Sequence, residues 1–273
     1  MGLEATFGRT QPIVGMVHLD ALPGAPKFDG DREAIIEHAR ADARTLEAGG
    51  VDALMVENFG DAPFYPDDVP KHVVASMTHA AGAVVEEADL PVGVNVLRND
   101  AAADLAVAQA VGAEFVRVNV HTGARVADQG IIEGKAYETM RERERLDADV
   151  AVFADHDVKH SAPLAAEDFT AESFADNVER GLADAAVVSG MGTGHAVDQA
   201  ELQLAADRRE EFGLDVPLFV GSGVTVDTVG DILSIADGVI VGTALKAGDA
   251  SGDPVSEERT RELVAAADDV REN

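Results

Sequence analysis

Eight short apolar or β-branched runs recur along the chain and alternate with segments of helical periodicity. The runs are Ile13–Leu19, Ala53–Val56, Val92–Leu97, Phe115–Val120, Val150–Ala154, Ala185–Val188, Leu218–Val220 and Gly238–Val241. Near-continuous apolar runs are typical of parallel strands that are covered on both faces. Between them, apolar residues recur at helical spacing, as Phe174, Val178 and Leu182 do. This alternation predicts an α/β fold, and we expect a single (β/α)8 TIM barrel domain over residues 1–273.

The loops between the predicted elements differ in length at the two ends of the barrel. Helix-to-strand joints are short, whereas strand-to-helix joints are long. The long joints are Asp20–Gly30, Asn58–Pro70, His121–Gly134 and His156–Phe169. Compact domains usually keep long loops for function, and barrel enzymes hold their chemistry at the C-terminal ends of the strands. We therefore expect the functional site on the long-loop face, with the glycine-containing His121–Gly134 segment as a candidate lid.

Two glycine-rich turns follow the last two predicted strands. Gly221, Ser222 and Gly223 follow the seventh strand, and Gly242 and Thr243 follow the eighth. In parallel barrels these two loops hold phosphate on backbone N–H groups and at a helix N-terminus. A helical segment separates the two strands, and we expect each turn to start a helix. The sequence thus predicts a phosphate site at these five residues, and the alternative is that the glycines only form tight turns.

Polar residues end other strands on the same face. Asp155 is the favoured general acid or base, Glu57 is a second carboxylate, and Lys159 is a candidate for stabilising negative charge. A structural salt bridge to Arg117 is the alternative for Asp155. The residue type of Lys159 also allows a Schiff base, although nothing in the sequence indicates a desolvated lysine. The candidate substrate-binding residues are His18, Asn95, Arg117, Asn119 and Ser189.

The amino-acid composition limits which molecules the chain can bind and indicates the kind of organism it comes from. The chain carries 51 acidic and 21 basic residues, a formal net charge of −30 that is spread along its length. Such a chain repels nucleic acid and anionic lipid, so we expect neither as a partner. A dispersed acidic surface poor in lysine is typical of a salt-rich cytosol, which predicts a halophilic archaeal source.

Other features limit the kind of site. The chain has no cysteine, which excludes disulfides and thiolate chemistry. It has no apolar run of membrane-spanning length and no leader pattern, so we expect a cytoplasmic protein without an integral membrane segment. No His/Asp spacing specifies a metal and no cofactor is required, although oxygen-ligated magnesium is left open, as is a homo-oligomer.

Several segments of the chain together resemble the BtpA family. They are IVGMVHLDALPGAP (Ile13–Pro26), VENFGDAPF (Val56–Phe64), FVRVNVHTGARVADQGIIEG (Phe115–Gly134), ADHDVKHSAPL (Ala154–Leu164), SGMGTG (Ser189–Gly194) and FVGSGVT (Phe219–Thr225). The resemblance implies a barrel of the ribulose-phosphate-binding type. The family namesake is implicated in cyanobacterial photosystem I biogenesis, and a bacterial relative carries only a provisional nucleosidase label. Members also occur in archaea that lack photosynthesis.

Two functional hypotheses are consistent with these observations. The first is an enzyme acting on a phosphorylated sugar or nucleoside-like compound, by N-glycosidic cleavage or by isomerase- or aldolase-type chemistry. A phosphoribosylanthranilate isomerase is disfavoured, because enzymes of that type usually use a cysteine base. The alternative, implied by the resemblance, is a non-catalytic assembly factor on an enzyme-derived barrel. A polar, phosphate-competent mouth would favour the enzyme, and a mouth filled with apolar side chains would favour the factor.

The net charge generates a first prediction. Lowering potassium chloride from molar to tens of millimolar lengthens the screening distance from about 3 Å to about 20–30 Å, which increases repulsion among the acidic side chains. We expect the thermal unfolding midpoint to fall over this range. An unfolding midpoint that does not change with salt would contradict adaptation to a salt-rich cytosol.

Overall fold

The computed structural model describes residues 2–164, 170–189 and 199–271, and in it the predicted barrel is confirmed. Eight parallel strands close on themselves in the order β1, β2, β3, β4, β7, β9, β10, β11. Their bounds are β1 Ile13–His18, β2 Ala53–Glu57, β3 Val92–Asn95, β4 Phe115–Val118, β7 Ala151–His156, β9 Ala185–Val188, β10 Leu218–Val220 and β11 Gly238–Val241. The last three begin and end where the apolar runs do.

Helices surround the barrel. They are α1 Leu3–Phe7, α2 Arg32–Gly49, α3 Lys71–Glu87, α4 Ala101–Val111, α5 Ala136–Arg145, α6 Thr170–Glu179, α7 Gln199–Glu211, α8 Val229–Leu233 and α9 Glu257–Arg271. Helix α2 starts at Asp31, whose side chain accepts hydrogen bonds from the N–H groups of Glu33 and Ala34. It ends at Gly50, which adopts a left-handed conformation with φ of 90°. Among the described helices, none is both long and apolar enough to cross a membrane.

A small antiparallel sheet lies outside the barrel, and the apolar pattern did not predict it. It consists of β5 (Ala124–Ala127), β6 (Gly130–Glu133) and β8 (Ser161–Pro163), in the order β6–β5–β8. Two of the long loops on the C-terminal face therefore pair with each other through backbone hydrogen bonds. Residues 165–169 of the second loop lie outside the described residues.

The barrel interior is aromatic at its N-terminal end. Phe115, Phe153 and Phe219 point inward from three strands, with ring centroids 5.1 Å apart for the first two and 4.9 Å apart for the last two. Phe7, from α1, closes the end of the barrel against Phe115 at 5.4 Å. These buried rings fill the N-terminal half of the described barrel with apolar side chains.

Two glycines make room for these rings. A Cβ atom at Gly93 would lie 2.2 Å from the ring of Phe115, to which Gly93 is paired across the sheet. A Cβ atom at Gly238 would lie 2.4 Å from the ring of Phe219, its own partner in register. The aromatic interior therefore depends on a glycine opposite a phenylalanine in adjacent strands.

This packing generates a second prediction. Gly93→Ala should lower the free energy of unfolding by about 1–3 kcal/mol, because the new methyl group overlaps the Phe115 ring in a closed core. Adding Phe115→Leu should recover part of the loss. The measurement is urea unfolding at fixed potassium chloride, which keeps the charge screening constant.

Gly82→Ala is the matched control. Gly82 lies inside α3, where an added Cβ meets nothing nearer than 3.6 Å. Since alanine favours the helical conformation by about 1 kcal/mol over glycine, this variant should be as stable as the natural chain or more stable. Equal destabilisation of both variants would contradict the packing argument.

Candidate active site at the mouth of the barrel

The inward positions change from apolar to polar at the C-terminal end of the barrel. Because side chains alternate along a strand, each polar residue lies two positions after a core residue of the same strand. The pairs are Met16 and His18 in β1, Met55 and Glu57 in β2, Phe115 and Arg117 in β4, and Phe153 and Asp155 in β7. The apolar core is thus covered by a layer of ionisable side chains that faces the mouth.

Arg117 and Asp155 form an ion pair at the centre of this layer. Arg117 Nε donates to Asp155 Oδ1 at 2.9 Å and Nη2 donates to Oδ2 at 3.1 Å, with both side chains almost fully buried. Asn119 Nδ2 donates to the same Oδ2 at 2.9 Å, and Arg117 Nη2 also donates to Ser189 Oγ at 3.2 Å. Asn95 Nδ2 donates to the backbone oxygen of Arg117 at 2.7 Å. Four of the predicted site residues therefore surround Asp155, directly or through Arg117.

The carboxylate of Asp155 is engaged within this network. Both of its oxygens accept hydrogen bonds, which is the structural salt bridge that the sequence left as an alternative. Asp155 does not line either of the cavities described below. Its role in proton transfer stays a prediction, and its contacts are those of a group that positions Arg117.

Two adjoining cavities open at the mouth, and both are lined by Glu57, Phe59, Arg117 and Lys159. The first, the glycine cavity, has a volume of about 300 Å³. Its further lining includes the five predicted phosphate residues, Gly221, Ser222, Gly223, Gly242 and Thr243, together with Asp249, Ser251 and Arg259. The second, the aromatic cavity, has a volume of about 500 Å³ and is lined further by Phe64, Leu97, Arg98 and Asn119, among others.

The two glycine turns line the same cavity, but neither has the local geometry that was predicted. Neither turn starts a long helix, because the five-residue α8 begins only at Val229 and Thr243 begins a single 3₁₀ turn ending at Leu245. The N–H of Gly221 is already used, since it donates to the backbone oxygen of Val188 at 2.8 Å. Any phosphate bound here would therefore rely on the rest of the two turns and on nearby cations.

Glycine is required in these turns partly for packing. A Cβ at Gly221 would lie 2.7 Å from Arg117 Nη2, and a Cβ at Gly242 would lie 2.9 Å from His18 Cε1. Gly223 has a positive φ of 74°, which other residues rarely adopt. Turn geometry and close packing thus account for the glycines, and phosphate binding stays a prediction.

His18 and Glu57 lie side by side on the floor of the glycine cavity. His18 Nδ1 donates to the backbone oxygen of Ser251 at 2.9 Å, which leaves Nε2 as the acceptor nitrogen, 3.7 Å from Glu57 Oε1. Burial, and then the charge of Lys246, lower the pKa of His18 to about 3, so the ring is neutral near pH 7. Burial raises the pKa of Glu57, although Lys159 opposes this effect. A carboxyl group with a raised pKa beside an imidazole with a lowered pKa is suited to proton transfer.

Lys159 lies between the two cavities. Burial lowers its pKa, while Glu57 raises it and Arg117 lowers it further. Among the residues that the structure describes, its ammonium group has no hydrogen bond or ion pair. The structure therefore places a half-buried lysine without a paired carboxylate among the described residues at the mouth, which no sequence pattern indicated.

Some cavity residues were absent from the sequence-based site. Arg98 follows β3 at the mouth, and its position after a strand could have suggested it. Arg259 comes from α9, where it lies within a charged helical segment and carries no local signal. Phe59 packs on the His18 ring at a centroid distance of 4.8 Å. In the described ranges, no group of three or more His, Asp or Glu side chains is arranged to hold a metal ion.

Comparisons with known proteins agree with the predicted family. The family model described as BtpA family matches residues 9–269. The chain belongs to the BtpA family. The photosystem I biogenesis protein BtpA of Synechocystis sp. is 44% identical over 90% of this chain and 84% of its own length.

Other relatives of the chain are uncharacterized proteins from an archaeon and an animal. An uncharacterized protein of Thermococcus kodakarensis is 48% identical over 96% of this chain and 97% of its own length. An uncharacterized mitochondrial protein of Caenorhabditis elegans is 32% identical over 88% of this chain and 87% of its own. Because several of the relatives are from thermophiles, the comparisons do not support a halophilic source. The expectation of a halophilic source therefore rests on the net charge of the chain alone.

Solved structures with the same fold are enzymes of low sequence identity. Thiamine phosphate pyrophosphorylase of Pyrococcus furiosus has a TM-score of 0.56 at 15% identity, with 96% of each chain covered. N-(5'-phosphoribosyl)anthranilate isomerase of the same organism has a TM-score of 0.56 at 12% identity, covering 95% of this chain and 100% of its own. These similarities establish the TIM barrel fold alone.

The buried carboxyl of Glu57 generates a third prediction. Because its pKa is raised in the folded chain, the folded state binds this proton more tightly than the unfolded state does. Ionisation of Glu57 therefore destabilises the fold. The free energy of unfolding decreases as the pH rises from the ordinary carboxyl pKa of 4.5 to the raised pKa of the folded chain. Glu57→Gln should thus be more stable than the natural chain at pH 7, and the difference should vanish towards pH 4.

Glu262→Gln is the control, since Glu262 is exposed on α9 and the substitution changes the net charge by the same amount. The measurement is the free energy of unfolding in urea across this pH range. If the two variants followed the same pH dependence, general charge repulsion would explain the effect and the specific role of burial would be wrong.

Proposed function

We propose that this BtpA family protein is an enzyme acting on a phosphorylated sugar or nucleoside-like small molecule. The observation that carries the proposal is the glycine cavity. It joins the two turns after β10 and β11 to Glu57 and Lys159 in a single space of about 300 Å³. A phosphate in the turns would hold the rest of the ligand over these two side chains.

The charges of the glycine cavity support a phosphate. Arg259 and Lys159 line it, and Arg117 contributes a guanidinium whose Nη1 lies 3.5 Å from the backbone oxygen of Gly221. Glu57 and Asp249 are the acidic side chains of the lining, so three basic side chains face two acidic ones. In a chain with a net charge of −30, such a local concentration of cations favours an anionic ligand.

The reacting groups are assigned from their environments. Glu57 is the candidate acid and base, because its pKa is raised by burial and its carboxyl group faces both cavities. His18 would accept or return its proton through Nε2. Lys159 would stabilise negative charge or act as an amine. These groups suit proton transfer beside a carbonyl, as in isomerase- or aldolase-type chemistry, and they also suit N-glycosidic cleavage.

A non-catalytic assembly factor is the second candidate. It is favoured by the printed name of the Synechocystis relative, a photosystem I biogenesis protein. The barrel mouth argues against it as the ancestral role, because the mouth is open and lined by ionisable side chains instead of filled with apolar ones. A screen of phosphorylated metabolites by thermal shift, followed by turnover assays on the hits, distinguishes the two candidates.

The phosphate site generates a fourth prediction. Inorganic phosphate or ribose 5-phosphate, at about tenfold over its dissociation constant, should stabilise the fold by about 1.4 kcal/mol, or about 3–5 °C in the unfolding midpoint. The comparison is potassium chloride at equal ionic strength, because this acidic chain responds to any salt. No shift beyond that of chloride would remove the main support for the proposal.

Gly223→Leu should abolish the phosphate-dependent shift, because Gly223 lines the glycine cavity and a bulky residue there takes up space in the turn. Gly213→Leu is the matched control. Gly213 also has a positive φ, of 63°, but it follows α7 at the opposite end of the barrel. Both variants should lose stability through backbone strain, and only Gly213→Leu should keep the response to phosphate. Loss of the response in both would show that strain alone was responsible.

A further inference from the structure

The five lysines of the chain differ in what surrounds their amino groups. Lys246 is buried and its Nζ lies 2.8 Å from Asp42 Oδ2, and Lys135 is paired with Asp67. Lys27 and Lys71 are exposed. Lys159 is the remaining one: it is partly buried, and no hydrogen bond or ion pair holds its ammonium group among the described residues.

Burial and nearby charges both act on the amino group of Lys159. Burial has the largest effect and lowers its pKa, while Glu57 and Asp155 raise it and Arg117 and Arg98 lower it. Arg117 and Asp155 are paired with each other, so their two charges largely offset one another at Lys159. The lowered pKa of this half-buried amine is therefore mainly an effect of burial.

The position of Lys159 is equally specific. It lines both the glycine cavity and the aromatic cavity, as Glu57 does. Arg98 holds the backbone of Lys159, because Arg98 Nη2 donates a hydrogen bond to the Lys159 backbone oxygen at 2.6 Å. A ligand with phosphate in the glycine turns and a planar or apolar group between Phe59 and Phe64 would pass directly beside this nitrogen.

We propose that Lys159 forms an imine with the carbonyl carbon of a phosphorylated aldehyde or ketone that spans the two cavities. The inference rests on the proposed function and specifies the substrate class. The neutral Nζ attacks the carbonyl carbon to form a C–N bond. The carbonyl oxygen then leaves as water, carrying the two protons lost by the nitrogen, with Glu57 as the group that relays protons to the departing hydroxyl.

The probe that tests this is pyridoxal 5'-phosphate, a planar aldehyde with one phosphate, followed by reduction with borohydride. Reduction converts an imine into a stable secondary amine that peptide mass spectrometry locates. At neutral pH we expect close to one label per chain, on Lys159. Pyridoxal without the phosphate should label this lysine at least several-fold more slowly, and inorganic phosphate at constant ionic strength should protect it.

Two lysine variants make the result specific. Lys159→Arg keeps the positive charge and should lose the label. Lys27→Arg is the matched control, because Lys27 lines the rim of the aromatic cavity but is exposed, and it should label like the natural chain. Circular dichroism and the unfolding midpoint verify that both variants are folded. Equal labelling of Lys159→Arg and the natural chain, or a label found mainly on Lys27 or Lys71, would overturn the proposal.

The outcomes also separate this inference from the proposed function. If phosphate stabilises the chain but Lys159 does not label, the imine is wrong and the phosphate site stands. If Lys159 labels but neither phosphate nor Gly223→Leu reduces the labelling, the assignment to phosphorylated ligands is wrong and the proposed function falls with it.

Discussion

The buried ion pair between Arg117 and Asp155 is the interaction on which the mouth of this barrel depends. Desolvating two charges is costly, and the bidentate geometry with further donors from Asn119 offsets that cost. Removing one partner would leave the other buried and unpaired, at a cost of about 3–5 kcal/mol. The pair also requires glycine at position 221, in the turn after β10. A Cβ atom there would lie 2.7 Å from Arg117 Nη2.

The same pair determines the chemistry available around it. Asp155 and Arg117 are paired, so their two charges largely offset each other at neighbouring groups. Burial is then the main effect on Lys159 and His18, and it lowers the pKa of both. Burial also raises the pKa of Glu57, which lies 3.7 Å from His18 Nε2. Opposite shifts of a carboxyl and an amine in one cavity are typical of sites built for proton transfer.

This arrangement is unfavourable for stability and useful for function. A buried carboxyl group and a half-buried amino group that lack a hydrogen-bonded ion pair among the described residues each destabilise the fold relative to paired or apolar residues. The aromatic barrel interior below these two side chains is closed by Phe7, and its packing offsets this loss of stability. The apolar half of the barrel thus stabilises the fold, and the polar mouth lowers its stability. Such a trade of stability for a polar site is common in proteins.

The sequence alone determined the barrel and the face on which its long loops lie. These features follow from local periodicity and loop length, which each segment carries by itself. Tertiary structure decided which carboxyl group pairs with Arg117. Asp155 and Glu57 both lie at the C-terminal ends of strands, and it is Asp155 that forms the ion pair, because β4 and β7 are neighbours in the closed barrel. Arg259 and the β5–β6–β8 sheet were likewise unpredictable, since they depend on contacts between distant segments that no local pattern records.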